Sequence, residues 1–220
     1  MRGYFTANID IQNSGAVVAS PDHNTPGGSY YYHWARDGAL TMHALQITAS
    51  GQKGYDTQMQ HYAKWVVGRH AESDPNNIDV RIEPKFTIPD GQPYTGGWCR
   101  PQTDGPGLRA ITLIAYANDL ISRGDTDFVS QYLWTGDASA YSGGAIKYDL
   151  DWLASNWDQS GCDLWEEVQS TDFFWNRYTM RKALAHGAQF AQKMGDSQSA
   201  QSYNSVLQTL NGPLARHFNG

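Results

Sequence analysis

Three short stretches concentrate side chains able to move protons and read hydroxyl groups. The first is Trp34-Ala35-Arg36-Asp37, preceded by Tyr30, Tyr31, Tyr32 and His33. The second runs Gly97-Trp98-Cys99-Arg100-Pro101-Gln102-Thr103-Asp104-Gly105-Pro106. The third is Asp163-Leu164-Trp165-Glu166-Glu167. A carboxyl set against an indole and among other carboxylates holds its proton more tightly, so it can act as an acid near neutrality. Cleavage of a glycosidic bond needs such an acid together with a second carboxylate across the bond. Arg offers a fixed fork of donors and Asp an acceptor, a pair suited to vicinal hydroxyls. Aromatic rings match the C–H face of a pyranose.

Each stretch also has a plainer reading. Glu166-Glu167 reads as a solvated acidic first turn of the helix that follows. Adjacent helical residues point about 100° apart, so both would face one pocket only on irregular backbone. Arg36-Asp37 reads as an ion pair at a helix start, Trp34 and Trp98 as core, and His33 as a packing residue. The Asp104–Arg109 spacing reads as helix-start electrostatics.

The elements that must carry these stretches are helical. Apolar residues recur at helical spacing in Leu40/Ala44/Ile47, Tyr55/Met59/Tyr62/Val66, Leu108/Ile111/Ala115/Leu120, Ile146/Leu150/Leu153/Trp157, Met180/Leu184/Ala191/Met194 and Ala200/Tyr203/Leu207/Leu210. That predicts about six helices. The third is apolar on more than one face and should be buried. Asp104 is a candidate N-cap, with Pro106 early in the helix where its missing N–H costs nothing. Gly/Pro-rich polar loops lie at residues 20–29, 89–97 and 135–144. Residues 16–19 and 86–88 are β-like but too few for a sheet. No linker divides the chain and no repeat is evident, so the fold class is all-α with the chemistry on loops.

Composition narrows the function. The chain has 220 residues and a net charge of −6, with 8 Trp, 13 Tyr and 7 Phe. An acidic chain without a Lys/Arg run is not a general nucleic-acid binder. Mean hydropathy is −0.58, and the absence of a long apolar stretch excludes a membrane-spanning helix. Residues 1–10 have no apolar core, so no signal peptide is expected in this chain. No zinc, phosphate-loop or serine-nucleophile motif occurs. Cys99 and Cys162 cannot build a disulfide scaffold and leave the redox compartment open.

Taken together and in order, W-x-R-D at 34–37, the run from Gly97 to Arg109-Ala110, and D-L-W-E-E-V at 163–168 resemble the N-terminal half of fungal glucoamylases, glycoside hydrolase family 15. The resemblance spans nearly the whole chain. It implies an (α/α)6 barrel, a toroid of which about half is expected here, with residues 1–220 forming the N-terminal part of one catalytic domain. It implies inverting exo-hydrolysis of terminal α-1,4-linked glucose from starch, maltodextrin or maltose. Glu166 would be the general acid, and Glu167 would bind substrate at the neighbouring subsite. Arg36 and Asp37 would hold the terminal glucose, with Tyr30, Trp34, Trp98 and Trp165 lining the pocket. No metal or cofactor is implied, and the complete protein would be a secreted or endomembrane monomer.

Other expectations come from where the match departs. The family's general base is expected beyond residue 220, with Asp151 and Asp163 as unselected substitutes. Cys99 and Cys162 stand where the family usually has Gly and Tyr, and a bridge between them is conditional on export. Half a barrel should expose inner helix faces and associate. The alternatives are a related hydrolase acting on trehalose or dextran, or a non-catalytic glucan-binding protein.

Overall fold

The computed structural model describes residues 2–24, 28–49, 53–135 and 144–218. Six long helices carry the fold: α2 (Ala35–Ala49), α3 (Asp56–His70), α4 (Gly105–Ser122), α5 (Ala145–Asn156), α6 (Phe174–Lys193) and α7 (Ser197–Arg216). A five-residue helix, α1 (Arg2–Thr6), precedes them. Each predicted helix is present. Two small antiparallel ladders accompany them: β1 (His33–Trp34) with β2 (Lys85–Phe86), and β3 (Gly161–Cys162) with β4 (Gln169–Ser170). Of the β-like residues 86–88, only Phe86 lies in a ladder, and no larger sheet forms among the described residues.

The helices form two layers. In the first, α4 packs between α2 and α6. The three run parallel. Gly105 faces Ala35 at their starts, Thr112 Oγ1 donates to the Ala39 carbonyl at 2.9 Å, and Lys193 reaches Asn118 near their far ends. Gly107 permits the close approach of α4 to α6, because a Cβ there would lie 3.2 Å from the Thr179 carbonyl oxygen. The returning helices α3, α5 and α7 form the second layer. Arg123 just past α4 pairs with Asp56 at the start of α3, and Arg216 at the end of α7 pairs with Asp172 ahead of α6.

One apolar cluster runs through both layers, and α4 is buried along most of its length, as its sequence predicts. Much of the aromatic excess sits here, since Tyr62, Tyr116, Tyr203 and Phe190 are fully buried. The buried face of α2 differs from the predicted one. Ala39, Met42, Leu45 and Ala49 face inward, leaving Leu40 43% and Ile47 64% exposed. Ala35, Gly38 and Ala39 on the buried face let the start of α2 approach α4 closely, while Met42 and Leu45 fill the space farther along.

Candidate active site

The N-termini of α2, α4 and α6 share one end of the first layer; the first two motif stretches run into the first turns of α2 and α4, and the third lies in the hairpin ahead of α6. Helix N-termini carry partial positive charge, which favours carboxylates there. The Glu166 stretch is not the first turn of a helix. It is the tip of the β3–β4 hairpin, and α6 begins only at Phe174. Glu166 takes φ 64, the left-handed region that costs a non-glycine residue about 1 kcal/mol or more. The backbone here is irregular rather than helical, so the roughly 100° spacing of adjacent helical residues does not apply to Glu166 and Glu167.

Glu166 Oε1 accepts from Arg36 Nη2 at 2.9 Å and Gln102 Nε2 at 2.8 Å. Arg36 Nη1 donates to Asp104 Oδ2 at 2.9 Å and to Gln102 Oε1 at 3.0 Å. Trp175 Nε1 also donates to Asp104 Oδ2, at 2.7 Å. Asp104 sits at the predicted N-cap position, but its side chain makes no capping bond. It is drawn instead to Arg36 and Trp175, where a charged donor rewards its burial. Arg109 pairs not with Asp104 but with buried Asp149, through both oxygens. Burial raises the Asp37 carboxyl, and Arg36 only partly offsets this. Burial disfavours the Arg36 charge, but Asp104 and Glu166 outweigh that and keep it firmly protonated.

Aromatic rings wall one side. Trp34 stacks on Tyr30 at 5.7 Å and meets Trp98 edge-on at 5.5 Å. Trp34 is only 4% exposed, whereas Tyr30 is open to solvent. Trp98 Nε1 is buried without an acceptor among the described residues. Lys85, itself 3% exposed, places its ammonium 3.9–4.6 Å from the ring centroids of Trp98, Tyr94, Tyr32 and Trp34. Burial lowers its pKa, opposed by the nearby Glu166. Four desolvated cation–π contacts hold the ammonium among these rings.

The structure thus brings together Glu166, Arg36, Trp34, Trp98 and Tyr30. Glu167 and Trp165 lie on the solvent side of the hairpin, with Trp165 78% exposed. Asp151 is bound to Tyr203 and Lys147 on α5. Asp163 spends Oδ1 on the backbone N–H groups of Glu167 and Val168, and such bonds hold its pKa low. His33 is a packing residue whose Nδ1 accepts from Val17 N–H. Gln102, Trp175, Lys85, Tyr32 and Tyr94 were not singled out from sequence as site residues. Gln102 and Tyr94 lay inside the matched run and its flank, so that signal was present.

Cys99 and Cys162 form a disulfide. It joins the loop carrying Trp98 and Gln102 to the hairpin carrying Glu166. No group of residues able to hold a metal occurs among those described.

The chain is similar to known proteins in sequence and in fold. The glucoamylase of Blastobotrys adeninivorans is 36% identical over 97% of this chain and 34% of its own length. Glucoamylase-1 of Schizophyllum commune is 39% identical over 84% of this chain and 31% of its own. The chain therefore spans about a third of the length of these relatives. Among solved structures, the Saccharomycopsis fibuligera glucoamylase superposes with a TM-score of 0.81 at 30% identity, covering 96% of this chain and 46% of that one. The Hypocrea jecorina family 15 glucoamylase gives 0.81 at 35%, covering 92% and 32%. The two layers are accordingly part of an (α/α)6 barrel. The family model for glycosyl hydrolases family 15 matches residues 4–219, and the chain belongs to that family.

Proposed function

We propose that this chain is the proton-donating, glucose-anchoring part of a single glucoamylase-like catalytic domain. The domain would release terminal glucose from α-1,4-glucans with inversion. The observation that carries the reading is the double hold on Glu166. Arg36 and Gln102 both donate to Oε1, which leaves Oε2 as the oxygen from which a proton would pass to a glycosidic oxygen. Fixed donors of this kind supply orientation without reorganisation during reaction.

The roles follow the geometry. Asp37 accepts from hydroxyls of the terminal glucose, and Arg36 fixes both that sugar and the acid. Tyr30 and Trp98 bound the pocket, with Trp34 as the layer behind them. Trp98 Nε1–H is a donor in want of an oxygen. Glu167 and Trp165, on the outer side of the hairpin, meet the next sugar unit. An inverting enzyme needs a base about 6.5–9.5 Å from the acid with water between. Neither Asp151 nor Asp163 suits that task, and the base is proposed to come from outside these residues. The substrate is starch or maltodextrin, and the disulfide supports an exported protein.

The test is the product. The intact protein, given maltose, maltotriose, trehalose and isomaltose, should release glucose from the first two fastest. Proton NMR of nascent product should show the β-anomer. Release of the α-anomer, or preference for trehalose or isomaltose, would overturn the reading.

A further inference from the structure

The hairpin that presents Glu166 has little of its own to hold it in place. Each strand is two residues long, and isolated ladders of that size are marginal in water. Leu164, Trp165 and Val168 are exposed. The tip is tied internally, with Glu166 N–H donating to the Asp163 carbonyl and Asp163 N–H to the Val168 carbonyl. Asp163 Oδ1 adds the two backbone bonds already described. These make the turn one rigid piece but do not fasten it to the barrel.

Fastening occurs at the base. Cys162 N–H donates to the Pro101 carbonyl at 2.8 Å. Gln169 Nε2 donates to the Arg100 carbonyl at 2.5 Å, and Asn176 Nδ2 to the Cys162 carbonyl at 3.0 Å. The disulfide runs beside these bonds to Cys99. Two of the three bonds, and the disulfide, end on residues 99–101. That loop then delivers Gln102 to Glu166 Oε1 and Asp104 to Arg36. The covalent link therefore sits between the two loops whose register decides whether the acid meets its donors. Cys162 is buried, 2% exposed, but lies outside the main apolar cluster that holds the helix layers together.

We infer that the Cys99–Cys162 disulfide is a positioning device for Glu166, which dithiol reduction releases without unfolding the barrel. The inference rests on the proposed role of Glu166. A thiolate of the dithiol attacks one sulfur, the S–S bond breaks, and the second thiol of the reagent displaces the mixed disulfide. Cys99 and Cys162 each end as a thiol, and the dithiol becomes a cyclic disulfide. Once released, the hairpin is held by those three hydrogen bonds at its base and by the contacts of Arg36 and Gln102 with Glu166 itself, and a drift of about 1 Å at a reacting group can cost on the order of 100-fold in rate.

The experiment compares the intact oxidised protein, the dithiothreitol-reduced protein, the reoxidised protein and the Cys99→Ser/Cys162→Ser variant. Backbone hydrogen exchange is read beside kcat and KM on maltose, well below the melting temperature. Exchange at residues 162–168 should rise at least tenfold on reduction while α4 and α6 stay protected. The kcat should fall 10- to 100-fold with a smaller change in KM, and reoxidation should restore it. Unchanged hairpin exchange, exchange spread evenly over the fold, or loose exchange with full kcat would each overturn the inference. Confined exchange in a protein that never releases glucose would support the clamp and overturn the proposed activity instead.

Discussion

Arg36 and Glu166 are 130 positions apart in the chain, and their side chains meet at 2.9 Å. The contact joins the start of α2 to the β3–β4 hairpin. The same guanidinium holds Asp104 with its other nitrogen, so one side chain ties together all three motif stretches.

Replacing Arg36 should therefore cost more than a surface ion pair. Arg36→Leu leaves Asp104 buried with only Trp175 to answer its charge, and breaking a buried pair costs about 3–5 kcal/mol. Arg36→Lys keeps a charge but loses the fork and should recover only part of the stability. Denaturant unfolding of both variants checks this. Equal stability for Arg36→Leu and the parent would contradict the network.

Lys85 should matter through its charge, not its bulk. Lys85→Met preserves an unbranched chain of similar length but removes the cation shared by four rings. Weaker maltose binding and a shifted tryptophan emission are expected, with Lys85→Arg intermediate. The cation–π contribution lost is roughly 1–2 kcal/mol of folding stability, which denaturant unfolding reads beside the binding measurement. A Met variant with parental Kd and emission would show that the cage needs only packing.

Stability should peak in mildly acidic solution, from two buried groups of opposite sense. Glu83 is raised by burial from 4.5 to about 7, against the pull of Arg100. Its contribution is full below pH 4.5 and lost as pH rises through 7. His33 is lowered by burial from 6.5 to about 3. Its contribution is full above pH 6.5 and lost as pH falls through 3. Each slope is about 1.4 kcal/mol per pH unit. From these two groups, the slopes oppose between pH 4.5 and 6.5, giving a plateau there and a fall on either side. Melting temperatures across pH 3–8 test it. A monotonic rise from pH 4.5 to 8 would contradict the Glu83 assignment.

On its own, the 220-residue chain should associate through the apolar stripe that α2 leaves exposed. Leu40 and Ile47 are exposed on the first helix layer, with Tyr178 44% exposed on α6. Exposed apolar surface of this kind promotes self-contact. Ile47→Gln should lower the apparent mass at high concentration in sedimentation velocity. A parent protein that is monomeric throughout would contradict this.

Much of the architecture was legible because long helices carry a strong period. Tyr55/Met59/Tyr62/Val66 and Ile146/Leu150/Leu153 lie on the buried faces they predict. The face of α2 was misread because alanines carry little hydrophobic signal yet allow the closest packing. The Glu166 hairpin escaped periodicity because two-residue strands are shorter than any detectable pattern. The disulfide spans 63 positions, and no local spacing encodes such a pairing. Asp104 looked like a cap from its neighbours alone. Its actual partners, Arg36 and Trp175, lie 68 and 71 positions away and become visible only in three dimensions.

The assignment of Glu166 as proton donor is tested most directly by changing the need for a proton. Glu166→Gln should be compared with the parent on maltose and on α-glucosyl fluoride, in the intact protein. Fluoride leaves without protonation, whereas the glucose alkoxide of maltose does not. The account predicts a loss of about 100- to 10,000-fold on maltose, the usual worth of a general acid, and a far smaller loss on the fluoride. Equal losses on both substrates, or near-parental turnover of maltose, would contradict it.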